Sequence, residues 1–362
     1  MVAPRLPLGR RLSRAVVLFC GLLVQPVLAA GPSSPPLVEV PKIQPSAVAP
    51  PAALAAAQPI FGTPRDYPLM AASQPTSLLG TRDGGLWFAA SGLGAIGRLD
   101  RASGAVTYYP LGVGARPYAI AEAPDRSIYA VDRALNVLHR LNPETGEATR
   151  IAMPGDLPFL DLAALRIDHD GKIWFSGATG WLGSHDPASG QTDVSSHEDL
   201  LGLAGSASGP NGAIWFVAGK SGRMIRIEPR RFRHDSMAVP ADVHGVRGLA
   251  AGPNGEVWIA AARTPTLARY SGRGSWLSVR LPWPDARSQA LVVRADGMLF
   301  AADVGRRKLI RYHPVLERFD EVGDLGTGGT IRAMIDLGDA IAIADMGADR
   351  IRVFPDDPAK HN

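Results

Sequence analysis

Residues 209–216 have the sequence GPNGAIWF, and residues 252–259 have the similar sequence GPNGEVWI. Each stretch places an Asn-Gly pair, which supports the positive φ angles of a short hairpin turn, directly before an apolar-aromatic strand. This combination of turn and strand occurs seven times, with strand centres at Trp87, Tyr129, Trp174, Trp215, Trp258, Phe300 and Ala342. Intervals of 42, 45, 41, 43, 42 and 42 residues separate the centres. A repeat of this length is typical of a four-stranded propeller blade, so the pattern predicts an all-β, seven-bladed β-propeller.

The seventh repeat ends early, because Pro355 follows the segment 350–354 and no fourth strand comes after it. The segment 66–69, Asp-Tyr-Pro-Leu, resembles the fourth strand of the first repeat, where residues 108–111 are Tyr-Tyr-Pro-Leu. We therefore expect an N-terminal strand to complete the last blade, which would remove the open sheet edges of an unclosed array.

The chain before the repeats divides into two segments. Residues 1–29 contain a basic start, a nine-residue apolar run at 15–23 and a small-residue cleavage site at 27–29, which together predict a secretory signal peptide. Residues 30–59 are rich in Pro, Ala and Ser and predict a disordered spacer. The propeller is expected over 60–356, with a tail at 357–362. These segments predict a periplasmic or secreted protein with no integral membrane span after cleavage.

The charge and cysteine content of the chain exclude several functions. The chain has 38 Lys and Arg against 34 Asp and Glu, and the four arginines of residues 1–29 account for the difference. The remainder therefore has no overall basic charge of the kind that binds nucleic acid. The single cysteine, Cys20, also lies in the predicted signal. No disulfide, thiolate metal site or thiol nucleophile is therefore expected in the exported form.

The repeat has the form P-x-x-I, then G-P-[DN]-G-x-[LIV]-W-F, then I-x-R-[ILV]-[DEN]-P-x-x-G. This unit resembles the streptogramin (virginiamycin B) lyase family of seven-bladed propellers over about residues 62–355. The segment 344–354, ADMGADRIRVF, also resembles an NHL repeat. The resemblance implies a magnesium-assisted elimination that opens a lactone ring. It also implies a catalytic histidine at the start of an inner strand, in a P-H-A-I motif, and a glutamate after the aromatic strand, in W-F-T-E.

Both family positions can be located in every repeat of this chain. The histidine position lies eleven residues before each strand centre, or ten in the last repeat, and is occupied by Thr76, Tyr118, Ala163, Ala204, Arg247, Gln289 and Arg332. The glutamate position lies three residues after each centre and is occupied by Ala90, Asp132, Gly177, Ala218, Ala261, Asp303 and Asp345. Neither set contains the family residue, so the resemblance does not carry the lyase reaction with it. If the true histidine position were shifted by a few residues from this spacing, His244 would be the nearest candidate base.

The polar members of these two sets form the candidate site, because equivalent positions of a propeller converge near the central channel. Tyr118, Arg247, Gln289 and Arg332 are predicted to bind a ligand, since guanidinium groups hold carboxylates and phosphates in a bidentate manner. Asp132, Asp303 and Asp345 are candidate ligands for Mg²⁺ or Ca²⁺. The alternative for the aspartates is structural, because an Asp after a strand often accepts hydrogen bonds from its own loop.

Two functions from different classes are compatible with this pattern. The first is a monomeric binding or scaffold propeller that holds a small molecule or a partner protein on its polar face. The second is a metal-assisted lyase or a lactone hydrolase. The sequence favours the first, because the residues that move the proton in the lyase family are missing. His139, His185 and His313 lie near outer-strand turns and are expected at the surface.

Overall fold

The computed structural model describes residues 60–231, 233–272 and 274–357, which form seven four-stranded antiparallel sheets. The predicted all-β propeller of seven blades is confirmed. The predicted signal peptide, spacer and most of the tail lie outside the described residues. Among the described residues, no helix has the length and apolar character needed to cross a membrane.

Strands are numbered in chain order. The inner strands of blades 1 to 7 are β2 (Pro75–Gly80), β6 (Pro117–Glu122), β10 (Leu162–Ile167), β14 (Leu203–Ser208), β18 (Val246–Ala251), β22 (Ser288–Val293) and β26 (Ile331–Asp336). The second strands are β3 (Leu86–Ala90), β7 (Ile128–Asp132), β11 (Ile173–Gly177), β15 (Ile214–Ala218), β19 (Val257–Ala261), β23 (Leu299–Asp303) and β27 (Ala340–Asp345).

The third strands are β4 (Ala95–Leu99), β8 (Val137–Leu141), β12 (Thr179–His185), β16 (Arg223–Glu228), β20 (Thr266–Tyr270), β24 (Lys308–His313) and β28 (Arg350–Pro355). The outer strands are β5 (Val106–Pro110), β9 (Ala148–Ala152), β13 (Thr192–Leu201), β17 (Arg233–Ala238), β21 (Trp276–Arg280), β25 (Arg318–Asp324) and, in blade 7, β1 (Arg65–Pro68). Three short 3-10 helices occupy Ser91–Leu93, Pro229–Arg231 and Met346–Ala348.

The inner strands surround the centre of the ring. Each inner strand contacts its neighbours in the adjacent blades, and β26 of blade 7 contacts β2 of blade 1. Because strands within a blade are antiparallel, all inner strands begin on one side of the ring, where the second strands end. This side is called the top face. The bottom face carries the turns between inner and second strands, such as the turn at 168–171.

The aromatic strand centres form the core between blades. Trp87, Tyr129, Trp215, Trp258 and Phe300 are all at most 3% exposed, whereas Trp174 is only half-buried. Burying such large side chains stabilises each blade interface by about 1.5–3 kcal/mol per residue. The exception at Trp174 marks the interface between blades 3 and 4 as different from the others.

The segment 60–68 packs on blade 7. β1 is antiparallel to β28, with Tyr67 opposite Ile351 and Asp66 opposite Arg352. The Tyr67 ring is buried, and the Phe61 ring lies 5.7 Å from the ring of Phe300 in blade 6. The N-terminal segment therefore contributes both backbone pairing and core side chains to the ring.

Candidate functional site

The seven positions at the start of the inner strands share one backbone geometry. In every blade the register between inner and second strands shifts by one residue near the top face, for example between the pairs Pro117–Asp132 and Ala119–Val131. In every blade this β-bulge includes the position that the eleven-residue spacing identifies: Thr76, Tyr118, Ala163, Ala204, Arg247, Gln289 and Arg332. A bulge re-aims one side chain and is common beside binding sites. The top face therefore has a ring of seven equivalent bulge residues, which we call the bulge ring.

One sector of the bulge ring is polar. Arg247, Gln289 and Arg332 lie on the contacting inner strands of blades 5, 6 and 7. The Arg247 side chain is exposed and forms no ion pair within the described part of the chain. Gln289 Oε1 and Arg332 Nε are buried and lack a protein partner there. An orphaned buried polar atom costs about 1–3 kcal/mol unless water or a ligand satisfies it.

The rest of the bulge ring is small or already engaged. Ala163 and Ala204 offer no polar group, and Thr76 Oγ1 donates to the backbone oxygen of residue 118 at 2.8 Å. Tyr118 lies 4.8 Å beneath the Arg133 guanidinium, which in turn forms a bidentate pair with Asp161. Tyr118 thus supports a loop, while the polar sector remains the part with free donors.

Asp132 organises the loop at the top of blade 2. Its Oδ1 accepts hydrogen bonds from the backbone N–H groups of Ala134 and Leu135 at 2.9 and 2.8 Å. Its Oδ2 accepts from the Arg116 N–H at 2.9 Å and lies 2.9 Å from His139 Nε2. Burial alone would raise the pKa of this carboxyl, but these four hydrogen bonds outweigh it and the pKa is lowered. Asp132 therefore acts as a buried, ionised loop anchor.

The prediction that His139 and His185 lie at the surface is wrong. His139 is 0% exposed and pairs with Asp132, and His185 is 4% exposed with its Nδ1 2.8 Å from Thr192 Oγ1. Both side chains point toward a neighbouring strand of their own blade. The prediction failed because the position of a residue near a turn does not show which way its side chain points.

Asp303 occupies the same position in blade 6 without a histidine beside it. Its Oδ1 accepts from the Arg287 and Gly305 N–H groups at 2.7 and 3.0 Å, whereas its buried Oδ2 has no partner among the described residues. Burial therefore raises the pKa of Asp303 despite the backbone hydrogen bonds. Asp132 and Asp303 thus share one backbone geometry but differ in whether the surroundings favour the charge.

Asp345, the third candidate metal ligand, faces two cations. Its Oδ2 lies 3.2 Å from an Arg350 nitrogen and 3.5 Å from an Arg307 nitrogen, while Oδ1 is buried and unpartnered among the described residues. Two guanidinium groups would repel a metal ion at this carboxylate. Within the ranges that the structure describes, no group of three or more His, Cys, Asp or Glu side chains could hold a metal. The surroundings of the three aspartates favour the structural role.

Arg307 and Arg350 were not among the sequence-predicted site residues. Besides Asp345, both bind backbone oxygens of the loop 325–329 above blade 7, for example Leu325 O at 3.2 Å from Arg307 and 2.9 Å from Arg350. The charged stretch DRIR at 349–352 marks Arg350, but no comparable signal marks Arg307. The loop that both arginines bind lies in a different part of the sequence, so the sequence does not connect them.

The two buried aspartates give a matched pair of predictions. Asp132→Asn places an amide N–H₂ against existing donors, so we expect a loss of about 2–3 kcal/mol in the free energy of unfolding at pH 7. Asp303→Asn keeps the Oδ1 acceptor and removes a desolvated charge, so its effect is expected within about 1 kcal/mol of zero or stabilising.

The pH dependence distinguishes them further. The lowered pKa of Asp132 means that its contribution is present above the unfolded pKa and is lost as pH falls. The raised pKa of Asp303 means that its ionisation costs stability as pH rises. Urea unfolding of both variants at pH 4 and pH 7 measures this. A larger loss for Asp303→Asn than for Asp132→Asn at pH 7 would contradict the assignment.

The top face also carries exposed apolar side chains on blades 1 to 3. Met70, Val113 and Phe159 are 58%, 96% and 56% exposed, and they lie on the three consecutive loops that lead into the inner strands of blades 1, 2 and 3. Large exposed apolar side chains grouped on one face often mark a binding surface. The top face therefore combines apolar loops on blades 1–3 with free guanidinium and amide groups on blades 5–7.

Fold and blade geometry define the class of this protein as a seven-bladed β-propeller with a bulged inner strand in each blade. Within that class the chain is similar to the virginiamycin B lyase family, whose family model matches residues 56–228. This confirms the resemblance that the repeat motifs indicate.

Solved structures agree on the fold. The crystal structure of virginiamycin B lyase from Staphylococcus aureus has 18% sequence identity and a TM-score of 0.73, over 81% of this chain and 99% of that chain. A catalytically inactive variant of that lyase with quinupristin has 18% identity and a TM-score of 0.72, with the same coverage. The WD40 repeats of RRP9 have 12% identity and a TM-score of 0.67, over 84% of this chain and all of that one. No curated protein matches the sequence significantly. Identities this low establish the fold alone.

Proposed function

We propose that this propeller is an exported binding protein that holds an amphiphilic carboxylate, or a partner segment of that character, on its top face. The observation that carries the proposal is the pair of buried, unpartnered atoms Gln289 Oε1 and Arg332 Nε on adjacent inner strands, beside the exposed Arg247. A carboxylate bound there would supply acceptors to the guanidinium groups, and a protonated or amide-bearing group would satisfy Gln289.

The apolar part of the ligand is inferred from the loops of blades 1 to 3 on the same face. The exposed Met70, Val113 and Phe159 would each lose contact with water when an acyl or aromatic group covers them. Burying about 100 Å² of apolar surface contributes about 2.5 kcal/mol. A ligand with one charged end and one apolar end therefore uses both halves of the face.

The proposal also rests on the residue types at the bulge ring, which differ from those that lyase chemistry requires. Proton abstraction requires a base with a pKa near neutrality within hydrogen-bonding reach of the reacting carbon. None of the seven bulge residues is histidine, and none of the seven residues that end the second strands is glutamate. Catalysis by the residues of the lyase family is therefore not part of the proposed function.

Calorimetric titration tests the binding proposal. We expect octanoate to bind more tightly than acetate, which lacks the tail, or octanol, which lacks the charge. Arg332→Gln should weaken octanoate binding about tenfold, because one charge-assisted pair contributes about 1.4 kcal/mol or more. Arg280→Gln, which removes an exposed arginine from the outer strand of blade 5, is the matched control and should have no effect. Equal affinities of the wild type and Arg332→Gln for octanoate would refute the proposal.

An enzymatic assay tests the alternative. The purified protein is incubated with Mg²⁺ and a streptogramin B or a panel of lactones, with and without EDTA. No ring opening is expected. Turnover that EDTA abolishes would overturn the binding proposal in favour of metal-assisted chemistry.

Export is a separate part of the proposal and has its own measurement. We expect cell fractionation to find the protein outside the cytoplasm, with an N-terminus near residue 30. A cytoplasmic protein that retains residues 1–29 would contradict this part alone.

A further inference from the structure

A large cleft lies on the bottom face, at the opposite end of the strands from the bulge ring. It has a volume of about 800 Å³. Its walls are the turn at 168–170 in blade 3, the turn at 209–213 in blade 4 and the segment 228–231 that follows β16. Arg82, from the corresponding turn of blade 1, also lines it. Because residues of blades 1, 3 and 4 share this cleft, it opens at the centre of the ring.

The cleft lies beside a tryptophan that is only partly buried between blades 3 and 4. Trp174 of blade 3 is half-buried, whereas the equivalent tryptophans Trp87, Trp215 and Trp258 are almost completely buried. The exposed Arg230 of blade 4 reaches across to His169 and lies 3.9 Å from Asp170, both on the blade 3 turn. Polar side chains at the cleft therefore add to the hydrophobic packing that joins blades 3 and 4, where Leu200 lies in one buried cluster with Ile214 and Phe216.

Four arginines line the cleft, and they outnumber its acidic residues. Asp168 Oδ1 accepts from the N–H groups of Asp170 and Lys172 at 3.0 Å, and Oδ2 accepts from Trp174 Nε1 at 2.9 Å. Asp168 is thus used inside its own turn. The arginines of the lining are Arg82, Arg226, Arg230 and Arg231, and its carboxylates are Asp168, Asp170 and Glu228, so the formal charge of the lining is positive.

Glu228 cannot satisfy the two arginines that share it. It lies 2.6 Å from Arg226 and 3.3 Å from Arg231. Arg226 is stacked over the Trp215 ring at 5.5 Å, and its Nε is buried without a partner among the described residues. A guanidinium carries five N–H donors in a fixed fork, so one carboxylate leaves several donors of this pair free.

Arg82 approaches from the other side of the cleft. Its backbone N–H donates to Glu122 Oε2 at 3.0 Å, but its exposed guanidinium has no carboxylate partner in the described part of the chain. Behind the blade 3 wall, Arg166 donates only to backbone oxygens of Leu165 and Ser206, and burial lowers its pKa to about 10. Arg166 remains protonated at neutral pH and forms no ion pair with a carboxylate among the described residues, so it adds a positive charge near the cleft.

We propose that this cleft is a second binding site, which takes a small polyanion with two oxyanion groups. One group would be held by Arg226 and Arg231, and the other would reach Arg82. Guanidinium forks match both phosphate and carboxylate, so the shared chemistry is an oxyanion, and separate probes are needed to identify the source. This site is independent of the top-face ligand, because it lies at the other end of the strands.

Isothermal titration of the full chain with inorganic pyrophosphate, citrate and inorganic phosphate tests the inference. We expect pyrophosphate or citrate to bind with a dissociation constant below about 1 mM at low salt, and inorganic phosphate to bind more weakly because it spans only one group. Binding should weaken as NaCl rises, since exposed charges are screened over about 8–10 Å. Tighter binding of pyrophosphate than citrate would assign phosphate groups to the ligand, and the reverse order would assign carboxylates.

Two variants and two controls locate the site. Arg82→Gln and Arg231→Gln should each weaken binding about tenfold, and both change exposed side chains, so the fold is expected to survive. Arg233→Gln, on the neighbouring β17 and paired with Asp235, should leave binding unchanged. Arg332→Gln on the top face should also leave it unchanged, which separates this site from the proposed function. No saturable binding up to about 5 mM, or equal affinity in Arg82→Gln, Arg231→Gln and Arg233→Gln, would overturn the inference.

Discussion

Deletion of residues 60–68 is expected to destabilise the propeller by at least about 5 kcal/mol and to cause the protein to aggregate. The deletion removes the buried Phe61 and Tyr67 side chains, and truncating a large buried aromatic residue typically costs about 3–5 kcal/mol. It also exposes the backbone of β28, which pairs with β1 from Arg65 to Pro68. An unpaired strand edge is a template for association with a second copy.

Thermal unfolding and light scattering measure both effects. Because the deleted chain could fail to fold at all, Phe61→Ala provides a milder variant. The Phe61 ring lies 5.7 and 5.8 Å from the rings of Phe300 and Phe354, so we expect a loss of about 3 kcal/mol while the sheet pairing is kept. Met70→Ala changes an exposed side chain a few residues further on and is the matched control. A propeller as stable without residues 60–68 as with them would show that the ring does not depend on this segment.

The salt bridges of the same segment add a smaller contribution with a defined pH dependence. Asp66 accepts a hydrogen bond from Arg352 at 2.7 Å and another from Arg350 at 3.2 Å. The hydrogen bond from Arg352 is the main reason that the pKa of Asp66 is lowered. The contribution of Asp66 is therefore present above its unfolded pKa and is lost as the pH falls through its folded pKa.

The repeat could be predicted from the sequence because its signals are local. An Asn-Gly turn followed by an apolar-aromatic run specifies a hairpin within a few residues, and seven copies at constant spacing specify the ring. The bulge residues followed from the same spacing. Arg247 and Arg332 could thus be assigned to equivalent positions of blades 5 and 7 before their surroundings were known.

Features that depend on neighbouring strands or blades could not be predicted in this way. The burial of His139 reflects the direction of its side chain, whose Nε2 lies 2.9 Å from Asp132 Oδ2 on the adjacent strand. The cleft on the bottom face is formed by turns of blades 3 and 4 together with Arg82 from blade 1. Neither feature has a local sequence signal, because packing between strands and blades determines the direction of a side chain and the shape of a cleft.

A pattern in the sequence does explain part of that packing. The residue after each strand centre faces a residue of the third strand, and their sizes are complementary in several blades. Phe88 faces Gly97 and Phe175 faces Gly183, whereas Ala130 faces His139 and Ala301 faces Ile310. In these four pairs a large side chain on one strand is accompanied by a smaller one on the other, whereas Phe216 faces Ile225 in blade 4 and Ile343 faces Arg352 in blade 7.

Gly97→Val is therefore expected to destabilise the propeller by more than about 3 kcal/mol. A Cβ atom at residue 97 would lie 2.1 Å from Cζ of Phe88, whose ring is completely buried. The cost is steric overpacking, since the backbone of Gly97 does not adopt a positive φ angle. Phe88→Ala alone should cost about 3–5 kcal/mol because it leaves a cavity.

The double variant Phe88→Ala with Gly97→Val decides whether volume complementarity is the cause. It recreates in blade 1 the small-large pair that Ala301 and Ile310 form in blade 6, so we expect a substantial part of the summed loss to be recovered. A coupling energy of about 2 kcal/mol or more in the double-mutant cycle, measured by urea unfolding, would support this explanation. Gly62→Ala is the matched glycine control, because a Cβ atom there meets its nearest neighbour at an ordinary 3.6 Å. Additive losses in the double variant would instead mean that the two residues affect stability independently of each other. The paired sizes in blades 1, 2, 3 and 6 would then have an origin other than shared packing volume.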